Sequence, residues 1–227
     1  MSFSRGNDLA LAMRLADAAD SITLARYQSI DLVITTKPDN TPVTDADKSA
    51  EDAIRALLHA HRPEDGIVGE EFGTQGTEKN RYWVIDPIDG TKNFLRGVPT
   101  WATLIGLMEK QADGTEKVVV GVVSAPALFR RWYAFEGGGA FVIVNKEVPK
   151  RISVSAVSKI EDASISHSDF IGWGQRLEPF RTLMDKAWRT RAHGDFWSHM
   201  LVAEGAVDIA AEPSLALWDM AALDIIV

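Results

Sequence analysis

The chain has no cysteine among its 227 residues, which removes disulfide staples, thiolate metal sites and any cysteine nucleophile in one step. Phosphatase chemistry that runs through a thiol is therefore excluded. Positive charge is also scarce: 24 Lys and Arg stand against 32 Asp and Glu, a formal net charge of -8. A nucleic acid or an anionic membrane would meet repulsion, so neither is expected as a partner. An anionic substrate would need local positive charge, for which a bound divalent cation is the obvious source. No run approaches the roughly 20 apolar residues of a membrane span. The opening Met1-Ser2-Phe3-Ser4-Arg5-Gly6-Asn7-Asp8 lacks the basic-then-apolar order of a secretory signal. A cytoplasmic protein is the expectation.

What is present is an ordinary globular composition, 46% hydrophobic and 25% charged, in a chain long enough to bury a sheet between helices. Leu9, Ala12, Met13, Ala16, Ala19 and Thr23 recur at helical spacing over residues 8–28. A second helix begins at Thr44 or Asp45, either of which can cap it, and runs through Ala50, Ile54 and Leu58. Between them Thr36-Lys37-Pro38-Asp39-Asn40-Thr41-Pro42 reads as a polar loop that either ties elements together or carries function. Extended segments follow at 67–69, ending in Glu70-Glu71, and at 82–85, ending in Asp86. More strands are expected at 104–107, 118–123 and 131–135, with Asp113-Gly114 as the turn between the first two. The remainder reads as a strand at 140–144, helices at 175–188 and 196–204, a strand at 207–211 and a last helix from Trp218. This alternation predicts an α/β sandwich of two closely packed units, residues 1–145 with the acidic motifs and residues 146–227. The chain stops at Asp224-Ile225-Ile226-Val227 inside an apolar periodic segment without a helix-ending signal, so the second unit is expected to be truncated.

The most specific string is Asp86-Pro87-Ile88-Asp89-Gly90-Thr91 after the apolar Tyr82-Trp83-Val84-Ile85. It sets two carboxylates, a carbonyl and a hydroxyl at a strand end, the oxygen donors that a hard divalent cation shares with phosphate. Glu70 ends the preceding strand and Trp218-Asp219 opens a later helix. If the two strands are neighbours, Glu70 and Asp86 share the edge where open α/β sheets bind ligands. Converging acids repel unless cations neutralise them. Gly90, Thr91 and Lys92 can present backbone N–H groups to a phosphate, and Asp47 can accept a hydrogen bond from Thr91. Taken singly, Asp-Pro and Asp-Gly are turn dipeptides, Asp45 and Asp47 a cap and a first-turn charge, and Asp219 a helix-start charge. Gly137-Gly138-Gly139 lacks the spacing of a nucleotide fingerprint. His59, His61, His167, His193 and His199 show no metal-ligand spacing, and His199 reads as a packed residue.

At this point the chain resembles the inositol monophosphatase superfamily of Mg²⁺-dependent, Li⁺-sensitive phosphatases. The resemblance rests on Gly69-Glu70-Glu71, on Trp83-Val84-Ile85-Asp86-Pro87-Ile88-Asp89-Gly90-Thr91-Lys92-Asn93-Phe94 with Gly97-Val98-Pro99, and on Trp218-Asp219-Met220-Ala221-Ala222. It implies an αβαβα sandwich of the inositol monophosphatase and fructose bisphosphatase type. It also implies two or three Mg²⁺ held by Glu70, Asp86, the carbonyl of Ile88, Asp89 and Asp219. Thr91, Asp47 and Glu70 would then serve catalysis, Gly90, Thr91 and Lys92 would bind phosphate, and the assembly would be a homodimer. His193-Gly194-Asp195-Phe196-Trp197-Ser198 and Val202-Ala203-Glu204-Gly205-Ala206-Val207-Asp208 with Glu212-Pro213 resemble the histidinol-phosphatase branch rather than the inositol branch. Asp195 and Glu212 would there pair with the ammonium and imidazole of L-histidinol phosphate, in histidine biosynthesis. Inositol, fructose bisphosphate or nucleotide 3′-phosphate remain alternative substrates of the same chemistry. A haloacid-dehalogenase-type aspartyl nucleophile expects Asp-x-Asp, whereas Asp86 and Asp89 are separated by two residues. A non-catalytic metal-binding scaffold is the alternative from another class, and intact acids at every motif position argue against it. In this family the chain usually continues past the last motif, in agreement with the truncated look of its end.

Overall fold

In the computed structural model, which describes residues 4–38 and 41–227, the first helix, α1 (Arg5–Arg26), buries a stripe of Leu11, Ala12, Leu15, Ala16, Ala19 and Thr23. The small side chains let a second helix lie close beside it. The order then runs β1 (Ile34–Thr36), β2 (Pro42–Thr44), α2 (Asp45–His61), β3 (Gly66–Gly69), β4 (Gly73–Gln75), β5 (Arg81–Asp89) and the short α3 (Thr91–Leu95). Four antiparallel strands follow, β6 (Ala102–Lys110), β7 (Glu116–Ala125), β8 (Arg130–Phe135) and β9 (Gly139–Val144), and then β10 (Lys150–Ile152). The chain closes with β11 (Ser164–His167), α4 (Leu177–Lys186), β12 (Arg189–Ala192), α5 (Asp195–Ala203), β13 (Ile209–Ala211) and α6 (Leu217–Ile226).

The larger sheet has eight strands in the order β10-β9-β8-β7-β6-β5-β3-β4, antiparallel except where β3 runs parallel to β5. Its central strand β5 alternates Trp83 and Ile85 toward one face with Tyr82 and Val84 toward the other. Both faces are covered, which is why the segment reads as a continuous apolar run rather than as alternation. On one side lie α1 and α2, with Ala50, Ile54 and Leu58 meeting Ile105, Leu107, Val120 and Val122. On the other lie α5 and α6, where Phe196, Met200, Ala222 and Leu223 meet Leu104, Val123 and Trp132. Behind α5 stands a three-stranded parallel sheet, β12-β11-β13, reached by a 2.6 Å contact between the hydroxyls of Ser166 and Ser198. The helix α4 covers its far face through Leu177 and Phe180 against Ile165 and Ile209. The layers are thus α, β, α, β, α, the sandwich expected from the sequence.

Close approach of α6 to the large sheet is made possible by Gly121, where a Cβ would lie 2.6 Å from the carbonyl oxygen of Ala222. That approach matters because α6 delivers Asp219 to the sheet edge.

Several elements differ from the sequence reading. The loop expected over 36–42 gives its end residues, Thr36 and Pro42, to the antiparallel pair β1–β2, where they stand opposite each other; Asp39 and Asn40, like Met1 to Phe3, lie outside the described residues. The strand β5 continues past Asp86 to Asp89 through an irregularity in its pairing with β6. The strands β10 and β12 are not expected from the sequence, because Lys150, Arg151, Arg189 and Arg191 are exposed and their strands carry no apolar alternation. A tight turn over Gly174–Arg176 delays the start of α4 to Leu177, and the strand expected at 207–211 is confined to Ile209–Ala211. Among the described residues no helix is long and apolar enough to cross a membrane.

Candidate metal and phosphate site

Because β3 and β5 are parallel neighbours, with Gly69 opposite Ile85, Glu70 and Asp86 leave the sheet at the same edge. The Glu70 N–H donates to the Ile85 carbonyl at 3.2 Å, which fixes that spacing. The irregularity after Asp86 turns the chain so that Asp89 points to the same place as Asp86. Two contacts hold the turn: Ile88 N–H donates to Asp86 Oδ1 at 3.0 Å, and the Thr103 hydroxyl donates to the Pro87 carbonyl at 2.8 Å. Gly90 then enters the left-handed region (φ 81°) and the chain starts α3; a Cβ there would meet the Thr100 carbonyl oxygen at 3.0 Å. From the opposite side α6 supplies Asp219, whose Oδ2 accepts from Ala216 N–H at 2.6 Å.

One oxygen each of Asp86, Asp89 and Asp219 lies within 4.8 Å of the others. Asp86 is 2% exposed, and its burial, followed by the charges of Glu70, Asp89 and Asp219, pushes its carboxyl well above the usual range. Asp89 moves the same way, first through burial and then through Asp195. Asp219 is raised by burial too. A buried group of acids that resists ionisation calls for positive charge at its centre, and its donors are all hard oxygens. These residues fit a divalent cation of the Mg²⁺ type. The carbonyl of Ile88 lies between the two aspartates in sequence and accepts the Thr91 hydroxyl at 2.9 Å.

Asp47 serves two purposes on α2. Its Oδ2 accepts from Thr44 N–H (2.8 Å) and from the Thr44 hydroxyl (2.5 Å), completing the helix cap. Its Oδ1 lies 3.3 Å from the Thr91 hydroxyl, which can donate there or to Ile88. Burial raises the Asp47 carboxyl above its ordinary value, opposed by the Thr44 hydrogen bonds.

Two residues to which the sequence reading gives no role at the site complete the acidic side. The Lys37 ammonium lies 2.7 Å from Glu70 Oε1 and 2.6 Å from Glu71 Oε1, an internal cation held between two carboxylates. Burial nevertheless pushes Glu71 up to about 7, with the Lys37 hydrogen bond working against it. Glu51, fully buried on α2, accepts from Glu71 N–H (2.8 Å) and Phe72 N–H (3.2 Å) while paired with Arg55 (2.8 Å). The signals available were the proline-flanked loop around Lys37, and a Glu and an Arg four residues apart on the apolar face of α2.

The residues read as substrate contacts sit at the carboxyl end of the small sheet. Asp195 is the first residue of α5, and the next amide, Phe196 N–H, donates to Asp89 Oδ2 at 2.7 Å. Burial raises the Asp195 carboxyl, opposed by the positive charge of Lys92, which is exposed on α3. Glu212 follows β13; burial raises its carboxyl, and the charge of Asp195 acts in the same direction. An acidic strip therefore runs from Asp86 and Asp89 through Asp195 to Glu212. A cavity of about 780 Å³ between Asp20, Phe129 and Arg131 contains none of these residues.

The family model for the inositol monophosphatase family matches residues 7–227. The histidinol-phosphatase of Mycobacterium tuberculosis is 56% identical over 223 residues, covering 97% of this chain and 84% of the relative. That of Streptomyces coelicolor is also 56% identical over 223 residues, covering 97% and 83%. Among solved structures, an inositol monophosphatase from Zymomonas mobilis superposes with a TM-score of 0.82 at 32% identity, covering 99% of this chain and 83% of that one. With its family-specific strings gathered at one sheet edge and the match spanning nearly its whole length, the chain belongs to the inositol monophosphatase family.

Proposed function

We propose that this chain is a Mg²⁺-dependent phosphomonoesterase that hydrolyses L-histidinol phosphate to L-histidinol and phosphate. The observation that carries the chemistry is the meeting of Asp86, Asp89 and Asp219 within 4.8 Å, beside Glu70 and the Thr91–Asp47 pair. Glu70, Asp86, the Ile88 carbonyl, Asp89 and Asp219 would hold two or three Mg²⁺. Bound there, the metal supplies positive charge to the phosphate oxygens and lowers the pKa of water. The Thr91 hydroxyl donates to Asp47 or Ile88, so its lone pairs are left to accept a hydrogen bond from the attacking water. Water oxygen bonds to phosphorus, the ester P–O bond breaks, and the alcohol departs with a proton. The start of α3 at Gly90, Thr91 and Lys92 orients the phosphate, and the exposed Lys92 adds a positive charge.

Substrate choice is supported by the 56% identity to two histidinol-phosphatases and by the acidic strip leading away from the phosphate position. An ammonium and an imidazole find partners in Asp195 and Glu212, whereas inositol offers only hydroxyls. The same reading places the protein in the cytoplasm, as a homodimer sensitive to Li⁺. Turnover of L-histidinol phosphate and of inositol 1-phosphate by the purified protein with Mg²⁺ tests the proposal. At least tenfold preference for histidinol phosphate in kcat/KM is expected, and preference for inositol phosphate would overturn it.

A further inference from the structure

Asp195 occupies the left-handed region (φ 50°), where glycine is the ordinary occupant and an L-residue is held only by its surroundings. The conformation aims the next amide, Phe196 N–H, at Asp89 Oδ2, 2.7 Å away. Asp195 therefore stands directly beside the metal cluster.

The side chain of Asp195 is fixed from outside its own helix. Asn93 Nδ2 donates to Asp195 Oδ2 at 3.1 Å and to the Thr100 carbonyl at 2.9 Å, so both amide hydrogens are used. Asn93 is itself rigid: its N–H donates to the Gly90 carbonyl at 2.8 Å and its carbonyl accepts from Val98 N–H at 2.9 Å. The Asp195 oxygen so held is close to the phosphate turn, 3.4 Å from where a Cβ on Gly90 would stand.

We infer that Asn93 is a specificity-positioning residue: it holds Asp195 to receive the substrate's ammonium, while Glu212 takes the imidazole. The inference rests on the histidinol-phosphate reading above. In that substrate the ammonium sits on the carbon next to the phosphorylated CH₂, and the imidazole lies further out. Asp195 is the acid beside the metal cluster, since the amide that follows it, Phe196 N–H, donates to Asp89 Oδ2 at 2.7 Å. Binding the ammonium asks one Asp195 oxygen to point at it while the other is tied, and Asn93 supplies that tie. Asn93 thereby links the length of the phosphate turn to the chemistry of the leaving alcohol.

The test compares kcat/KM for L-histidinol phosphate with kcat/KM for p-nitrophenyl phosphate, which has neither ammonium nor imidazole, at saturating Mg²⁺. Damage to the metal loop lowers both and cancels in their ratio. Asn93→Ala is expected to lower that ratio about tenfold, the worth of one hydrogen bond to a charged group. The isosteric Asn93→Asp, which sets a carboxylate against Asp195, should lower it at least as far, and covers the case in which alanine does not fold. Asp195→Asn should lower it further, and adding Asn93→Ala to Asp195→Asn should change nothing more. An unchanged ratio in both Asn93 variants, or a double variant equal to the product of the singles, overturns the inference. Failure of the functional reading shows instead in the unmutated protein, as a missing preference for histidinol phosphate.

Discussion

Replacing Glu51 by Gln tests whether the scaffold beneath Glu70 and Glu71 sets metal affinity. Glu51 Oε1 accepts from Arg55 Nε at 2.8 Å and Phe72 N–H at 3.2 Å, and Oε2 accepts from Glu71 N–H at 2.8 Å. Glutamine has one acceptor oxygen. With that oxygen facing Arg55 and Phe72, its NH₂ faces the Glu71 N–H, donor against donor, in a site with no access to water. Loss of one hydrogen bond to a charged acceptor costs about 1.5–3 kcal/mol, to be read as a lower urea midpoint at constant m-value. The turn freed by that loss carries Glu70 and Glu71, so the Mg²⁺ concentration for half-maximal activity should rise about tenfold or more. Calorimetric titration of Mg²⁺ into the metal-free protein should report the same rise. Glu51→Ala, which strands the Arg55 guanidinium, should cost about 3–5 kcal/mol. If Glu51→Gln is destabilised yet keeps the original Mg²⁺ midpoint and calorimetric affinity, the claim that this buried carboxylate sets the metal-bearing turn is wrong.

Asp89→Asn should abolish Mg²⁺-stimulated turnover and the calorimetric Mg²⁺ signal together, while raising the melting temperature of the metal-free protein by removing one of several crowded charges; unchanged Mg²⁺ binding would remove Asp89 from the ligand set. The raised Glu71 carboxyl fixes the direction of a pH effect. Its stabilising contribution is fully present below the unfolded value of 4.5 and is lost as pH rises through about 7. The raised Asp86, Asp89 and Asp219 carboxyls act in the same direction. The metal-free protein should therefore melt at lower temperature at pH 8 than at pH 5.5, and saturating Mg²⁺ should reduce the difference; a metal-free melting temperature that climbs over this interval contradicts the reading. Gly121→Ala places a methyl 2.6 Å from the Ala222 carbonyl oxygen and should cost about 1–3 kcal/mol by pushing α6 off the sheet. Because α6 carries Asp219, Mg²⁺ affinity should fall with stability, and a variant that loses stability alone would show that Asp219 tolerates the displacement.

The local part of the site was legible because its residues are close in sequence. Asp86 to Thr91 lie in one turn after an apolar strand, and such a turn can be read for its donors without knowing the rest of the fold. Asp219 is grouped with the other acids from the residues alone, as a charge opening a late helix, but nothing in residues 217–226 says that the helix end meets β5, and the family resemblance is what makes it a metal ligand. Lys37, Glu51 and Asn93 were missed for a physical reason. Each acts through a partner distant in sequence, Lys37 on Glu70, Glu51 on Glu71 and Asn93 on Asp195, and each has a bland local role as a loop, helix or turn residue. The periodicities give the α/β sandwich and the family resemblance its layer order, whereas β10 and β12, held by backbone pairing with exposed charged side chains, carry no such signal.

The helix α2 shows why a structural reading and a functional reading of one residue need not compete. Asp47 and Glu51 are four residues apart, so they stand on one face about 6 Å apart along the axis. Asp47 directs one oxygen to the Thr44 cap and the other toward Thr91. Glu51, one turn later, holds the backbone of Glu71 and Phe72. The cap fixes where the helix begins and hence its rotation. That rotation sets both the partner of the Thr91 hydroxyl and the turn behind Glu70. A capping aspartate, which in isolation is evidence only of a helix start, is here the point from which two sides of the metal cluster are measured. Its conservative reading is correct, and its functional reading depends on that being so.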